Sequence, residues 1–282
     1  MRKIVELFRL IRPINSALTG FAVIVGASLI EKNLLSIIEH LLLGFITGFT
    51  IAGAAMTIND YFDREIDAIN QPNRPIPKGT VKPKEALCFA FLLSLVGLSA
   101  ALATNLQCFF LALAGWILSC GYAAWGKRTG FLGDLLVSLG VTIPFLYGNF
   151  IAENSLAQVT VIFASMAFLS NAGREVTKEI LDIEGDKAQN VKTVAVTFGE
   201  RKTAVLASIF YFAAVSLTPL PLAYELVSFW FIPPVALTDL GLIMSAVSLL
   251  RNSSKENAKK VKNQVLACFL LGLVAFITGT IT

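Results

Sequence analysis

Apolar runs of roughly 18–25 residues recur along the whole chain, and about 20 such residues are needed to cross a ~30 Å hydrocarbon core. Nine runs are legible, at about 13–30, 39–58, 86–104, 107–125, 132–150, 156–174, 203–222, 227–249 and 263–281. They leave no room for a separate soluble domain. Inside lipid every backbone N–H and C=O must be satisfied within its own segment, so the runs are expected to be helices. Only 15% of the residues are charged, against roughly one quarter in soluble proteins. The expected fold is all-α and polytopic: a single domain over 1–282, with nine transmembrane helices around a central cavity and a cytoplasmic cap.

The basic residues orient these runs. Of 23 Lys and Arg, 22 fall on alternate connections and only Lys32 lies on the other side. The positive-inside rule then places the N-terminus in the cytoplasm and, for an odd number of spans, the C-terminus outside. One missed or invented span would break the alternation. A net charge of +4 suits contact with anionic headgroups and gives no reason to expect nucleic acid. The basic start runs straight into the first apolar run, with no legible cleavable leader. His40, the single histidine, begins the second run on the outer side, which excludes a His-based triad or His-rich metal centre. Cys88, Cys108, Cys120 and Cys268 lack metal-ligand spacing and read as small core residues.

The acids are sorted more sharply still. Five of the seven Asp residues form two clusters, Asp60, Asp63 and Asp67, then Asp182 and Asp186. Each cluster follows an even-numbered run on the cytoplasmic side. Residues four apart share a helix face, so Asn59, Asp63 and Asp67 should line one stripe and Lys178, Asp182 and Asp186 another. Carboxylates at that spacing repel each other. Neighbouring Lys and Arg, a divalent cation or plain solvent exposure would each relieve the repulsion. Amide and carboxylate oxygens are the hard donors Mg²⁺ takes, commonly alongside substrate phosphate oxygens. The clusters recur 119 residues apart, from Asp63 to Asp182, which predicts two four-helix pseudo-repeats with a ninth helix appended. Helices two and six would then face one another.

The segment Asn59-Asp60-Tyr61-Phe62-Asp63-Arg64-Glu65-Ile66-Asp67, followed by Asn73-Arg74-Pro75-Ile76-Pro77-Lys78-Gly79, resembles the first signature of the UbiA superfamily of intramembrane prenyltransferases. Asp182-Ile183-Glu184-Gly185-Asp186 resembles its second signature, and Tyr122 with Lys127 its Tyr…Lys element. The likeness covers the whole chain. It implies transfer of a prenyl group from its diphosphate, with charge on the leaving group stabilised by metal and cations already in place. Under it, Asn59, Asp63, Asp67, Asp182 and Asp186 are the expected Mg²⁺ ligands, with two ions, one per cluster. Asp60 sits off the stripe and is expected to orient a basic partner. Arg64, Arg74, Lys127 and Lys178 are expected to contact diphosphate oxygens. For Arg128, Lys78 and Lys192 this role and a headgroup role stand side by side. Tyr122 is the first choice for an aromatic face toward an allylic cation, and Tyr147 the second. Loops 68–84 and 187–201 are expected to cap the site. An acceptor phosphate would need cations of its own, for which Arg12, Lys192 and Arg201 are candidates.

Within the superfamily, the short arms and sequence style resemble archaeal enzymes that form the second ether bond of membrane lipids. Those enzymes move geranylgeranyl from geranylgeranyl diphosphate to the 2-hydroxyl of geranylgeranylglyceryl phosphate. The expected partners are thus a prenyl diphosphate and a lipid-like acceptor within the bilayer; no protein partner is inferable. An aromatic quinone precursor as acceptor is the alternative, and a cation transporter is the non-enzymatic one. Asp239 interrupts the eighth run; it is expected to be protonated, hydrogen-bonded to a neighbouring helix, or facing the cavity.

Overall fold

The computed structural model describes residues 2–188 and 190–281; Gln189, within the second expected cap, lies outside them. Among the described residues every regular element is helical. The chain forms two compact units, one of Met1–Trp125 with Ile143–Ser155, the other of Gly126–Thr142 with Leu156–Thr282. The boundary at Trp125 falls where the fourth apolar run ends.

The first unit holds α1 (Arg2–Leu10), α2 (Pro13–Ser28), α3 (Ile38–Phe62), α4 (Arg64–Asn70), α5 (Pro83–Thr104), α6 (Leu106–Ala124) and the second half of α7 (Phe131–Ala152). Pro13 opens α2 at a position where its fixed φ suits a helix and its missing N–H costs nothing. Before it Arg12 takes a left-handed φ of 46°, and α1 meets α2 at a 50° bend. Small residues let the backbones approach: a Cβ on Gly148 of α7 would sit 2.1 Å from Val23 O of α2. Beside that contact Tyr147 is 2% exposed, packed with Val23, Ala101, Cys108 and Ala112. Its hydroxyl bonds to Thr47 and Thr104 at 3.2 and 3.3 Å. Tyr147 is therefore a core residue with its polar end satisfied, and not the cation-facing aromatic that was its second-choice role. A separate cluster of Leu10, Ile76, Val81 and Ala86 presses the segment after α4 against α1 and α5. Burying side chains of this kind contributes about 1.5–3 kcal/mol each for the larger ones.

The second unit holds the first half of α7, then α8 (Gln158–Ala188), α9 (Val194–Phe198), α10 (Glu200–Leu217), α11 (Leu220–Ala223), α12 (Ile232–Arg251) and α13 (Lys255–Gly279). Val176, Ile180, Tyr211, Leu249, Val261 and Val265 form its core. Tyr211 shares a hydrogen bond with Thr177 at 2.9 Å. Asp239 accepts from Thr218 at 2.8 Å, so of its three expected states the hydrogen bond to a neighbouring helix end is the one observed.

All nine runs are helical among the described residues, and fewer of them pass on length and mean hydropathy alone. Seven helices are long and apolar enough to cross a membrane, and the bent α1–α2 pair makes eight. With 16 residues, α2 rises only about 24 Å at 1.5 Å per residue, which is why it needs α1. The run at 156–174 is the first part of a 31-residue helix, α8, whose Arg174, Glu175, Lys178 and Glu179 dilute its hydropathy. The expected caps are also shorter. Helix α4 runs to Asn70 and α8 to Ala188, and α9 occupies the middle of the second cap.

Candidate active site

The first acid motif straddles a joint between helices. Helix α3 ends at Phe62, α4 begins at Arg64, and Asp63 stands between them with φ −83°. Backbone bonds at helical spacing still pass through it, Asp63 N to Asn59 O at 2.9 Å and Asp67 N to Asp63 O at 2.7 Å. The expected stripe is thus continuous in backbone terms, yet its side chains divide into two groups. Asn59 Nδ2 donates to Asp63 Oδ2 at 2.9 Å, and both residues are half-buried.

Asp60 and Asp67 form the other group. They are 3% and 5% exposed, and Arg74 Nη1 donates to both carboxylates, at 3.2 Å to Asp60. Arg12 Nη2 donates to the same Asp60 oxygen at 2.8 Å, and Arg74 Nε donates to Gln71 at 2.8 Å. Asp67, expected among the Mg²⁺ ligands, bonds Arg74 in this structure. Arg74, expected on the diphosphate, is committed to two acids. Burial decides this: a buried carboxylate must be paired, and the loop after α4 brings Arg74 back over the motif. Arg64 bonds Tyr61 O at 3.0 Å and lies 4.8 Å from the Tyr61 ring centroid. A cleft of about 420 Å³ opens here, lined by Arg9, Arg12, Asp60, Gln71, Pro72, Asn73, Arg74 and Pro75. Tyr122 lies half-buried near the end of α6.

In the second unit the motif occupies the end of α8. Asp182 is exposed and Asp186 half-buried. Burial and the negative charge of Asp182 push the Asp186 carboxyl up to about 6, against a hydrogen bond from Thr193. Two turns before Asp182, Glu175 holds both neighbouring cations: Arg174 Nη1 at 3.1 Å and Lys178 Nζ. Lys127 and Arg128 lie on the turn Gly126–Thr129 that precedes α7. This turn packs closely on the second cap, since a Cβ on Gly130 would fall 2.4 Å from Lys192 O.

The model of the UbiA prenyltransferase family matches residues 19–278. This chain belongs to that family. The digeranylgeranylglyceryl phosphate synthase of Archaeoglobus fulgidus is 35% identical to it over 99% of this chain and 96% of its own length. The synthase of Thermococcus sibiricus is 34% identical over 97% and 96%. A structure solved to explain digeranylgeranylglyceryl phosphate synthase in membranes superposes with TM-score 0.86 at 30% identity, covering 99% of both chains. A UbiA homolog from Archaeoglobus fulgidus bound to GPP and Mg²⁺ shares the fold, with TM-score 0.69, 18% identity and coverage of 96% and 99%. The protein is accordingly a multi-pass membrane prenyltransferase.

The residues of this UbiA prenyltransferase fit Mg²⁺ in their donor chemistry. Asn59 uses its amide nitrogen on Asp63, which leaves its carbonyl oxygen as a hard donor beside the carboxylate. Asp182 and Asp186 stand four residues apart near the end of α8, carboxylates of like charge that a divalent cation would relieve.

Sequence reasoning missed the acids Asp134, Glu175 and Glu179. Glu179 is 5% exposed; its Oε2 accepts Ala195 N–H at 2.9 Å, and burial pushes its carboxyl up. Neither Asp134 Oδ2 nor Glu179 Oε1 meets a hydrogen-bond partner. The available signal was position, because Asp134 lies inside the fifth apolar run, away from both clusters.

Proposed function

We propose that this UbiA prenyltransferase moves a geranylgeranyl group from geranylgeranyl diphosphate to the 2-hydroxyl of geranylgeranylglyceryl phosphate, forming the second ether bond of an archaeal membrane lipid. The support is the identity of 31–37% with digeranylgeranylglyceryl phosphate synthases, which extends over 96–99% of the chain in several of them. The allylic C–O bond of the donor breaks, diphosphate leaves, and the acceptor hydroxyl oxygen closes on the allylic carbon as its proton passes to an Asp carboxylate or an oxygen of the released diphosphate. Mg²⁺, when bound, supplies charge neutralisation for the departing diphosphate.

Asn59 and Asp63 in the first motif, and Asp182 and Asp186 in the second, are the proposed ligands, one ion per motif. Arg64, Lys127 and Lys178 bind diphosphate oxygens, with Arg128 beside them. Arg74 and Asp67 act as a buried pair that holds the first motif in shape. Tyr122 offers its ring to the allylic cation, which the apolar helices shield from water. The basic loops place the N-terminus and both motifs at the cytoplasmic face, with the C-terminus outside.

The test is a Mg²⁺-dependent assay of the purified protein with geranylgeranyl diphosphate and a panel of acceptors. Turnover is expected with geranylgeranylglyceryl phosphate. Turnover only with 4-hydroxybenzoate would overturn the lipid acceptor.

A further inference from the structure

The positive charge of this chain is concentrated in one short segment. Residues 251–262 carry five cations, Arg251, Lys255, Lys259, Lys260 and Lys262, against the single acid Glu256. That excess equals the +4 of the whole chain, so the remaining residues balance to zero. Two of the five cations are paired, Lys260 with Glu256 at 2.9 Å and Lys255 with Glu184 at 3.9 Å. Among the described residues Arg251, Lys259 and Lys262 form no ion pair.

The segment joins α12 to α13, and the turn is closed without using these cations. A basic side chain in the last turn of a helix commonly serves its open carbonyls. Here Asn257 does so in place of Arg251: its Nδ2 donates to Ser248 O at 3.1 Å and to Asn252 O at 2.7 Å. Ser254 Oγ in turn accepts from Asn257 N. Helical spacing then sets where two of the free cations stand. Arg251 shares a face of α12 with Leu240 and Met244, and Lys259 shares one of α13 with Leu266 and Leu270, at separations close to two and three turns. All four apolar side chains are exposed, and in a membrane-spanning chain such a face meets lipid. Each lipid-facing stripe thus ends on an unpaired cation at the same turn. Depth agrees with this. Helix α13 has 25 residues, about 37 Å at 1.5 Å per residue, which exceeds a ~30 Å hydrocarbon core. The excess is its charged end, so these cations stand at headgroup depth with acyl-chain surface directly below them.

We propose that the α12–α13 turn is a docking surface for net-anionic phospholipid headgroups of the surrounding bilayer, held by Arg251 and Lys259 with Lys262 beside them. A zwitterionic headgroup brings its own ammonium and cancels its phosphate; an anionic one leaves a charge for the turn to neutralise. The Lys255–Glu184 pair sets this surface beside the second acid motif, because Glu184 lies between Asp182 and Asp186. The inference does not depend on which acceptor the enzyme prenylates.

The test titrates phosphatidylglycerol, and in parallel phosphatidylcholine, into the full-length protein in a neutral detergent, with bound lipids counted by native mass spectrometry. Each Lys or Arg near an anionic surface contributes roughly fivefold in affinity. Phosphatidylglycerol is therefore expected to bind at least about 25-fold more tightly than phosphatidylcholine. Arg251→Gln combined with Lys259→Gln should weaken phosphatidylglycerol binding about 25-fold and leave phosphatidylcholine within about twofold. Lys84→Gln combined with Lys202→Gln removes the same charge from exposed positions elsewhere and should leave both affinities nearly unchanged. Arg251→Lys combined with Lys259→Arg keeps the charges and should retain the preference. Equal affinity of the wild type for the two lipids would overturn the proposal. An equal loss in the Lys84 and Lys202 variant would do so too, since binding would then follow total charge. A loss in the charge-keeping exchange as large as in the Gln variant would also overturn it, by tracing the effect to packing of the turn.

Discussion

Arg12 and Asp60, 48 residues apart in sequence, meet through one hydrogen bond of 2.8 Å between Nη2 and Oδ1. The contact ties the bend between α1 and α2 to the last turn of α3. Because Arg74 bonds the same oxygen at 3.2 Å, Asp60 joins three chain segments through one side chain.

Removing that acid leaves Arg12 without its carboxylate and Arg74 with Asp67 alone. Breaking a buried ion pair costs about 3–5 kcal/mol, and the partial exposure of both arginines lowers this. Asp60→Ala should destabilise the protein by about 2–3 kcal/mol, seen as a lower melting temperature in detergent. Asp60→Asn keeps an acceptor oxygen and should fall between the two. A melting temperature for Asp60→Ala equal to wild type would rule out the joint as a structural device.

The division of the first motif into two pairs predicts two phenotypes. Asp63→Ala and Asp182→Ala should lower turnover at least about 100-fold, on the scale of losing a main electrostatic contributor, with the melting temperature little changed. Chelation of Mg²⁺ should abolish turnover in the wild type. Asp67→Ala should instead lose stability together with activity, because it removes one of the two carboxylates that hold Arg74. Equal loss of stability in all three variants would contradict the division.

The Glu179 carboxylate fixes the second cap through the Ala195 amide at 2.9 Å. A buried donor left unpaired costs about 1–3 kcal/mol. Glu179→Ala should therefore raise the hydrogen-exchange rate of the Ala195 amide by about 5–150-fold, that penalty expressed as a rate. Glu179→Gln retains a carbonyl acceptor, so protection should largely survive. Unchanged exchange in Glu179→Ala would mean that the cap is held elsewhere.

Tyr147 offers a contrast with Tyr122. As a core residue with a satisfied hydroxyl, Tyr147→Phe should cost about 0.5–1.5 kcal/mol and leave the rate of prenyl transfer nearly unaltered. Tyr122→Leu, which keeps bulk and removes the π face, should slow transfer without a matching loss of stability. A Tyr147→Phe enzyme slowed as much as Tyr122→Leu would reverse the two roles.

The legible part of the fold was the part set by local composition. Every apolar run became a helix, since lipid leaves the backbone no other partner. The acids at 59–67 and 182–186 stood out because charge is scarce elsewhere. Less legible was where spans end: α8 continues past its apolar part through Arg174, Glu175 and Lys178, residues whose mutual pairing lets a charged helix stay buried. Nor could a helical stripe reveal that Asp67 turns to Arg74, because that choice depends on where the loop at 71–82 returns.

By itself, the sequence determined that this chain is helical, membrane-spanning and equipped with two oxygen-rich motifs, because each of these follows from neighbours within a few turns. Only the tertiary structure decided which acids of the first motif pair with arginines from outside it. The reason is burial: Asp60 and Asp67 lie at 3% and 5% exposure, where an unpaired carboxylate is too costly, and the partners that relieve them come from Arg12 and Arg74, in segments the spacing of the motif does not contain.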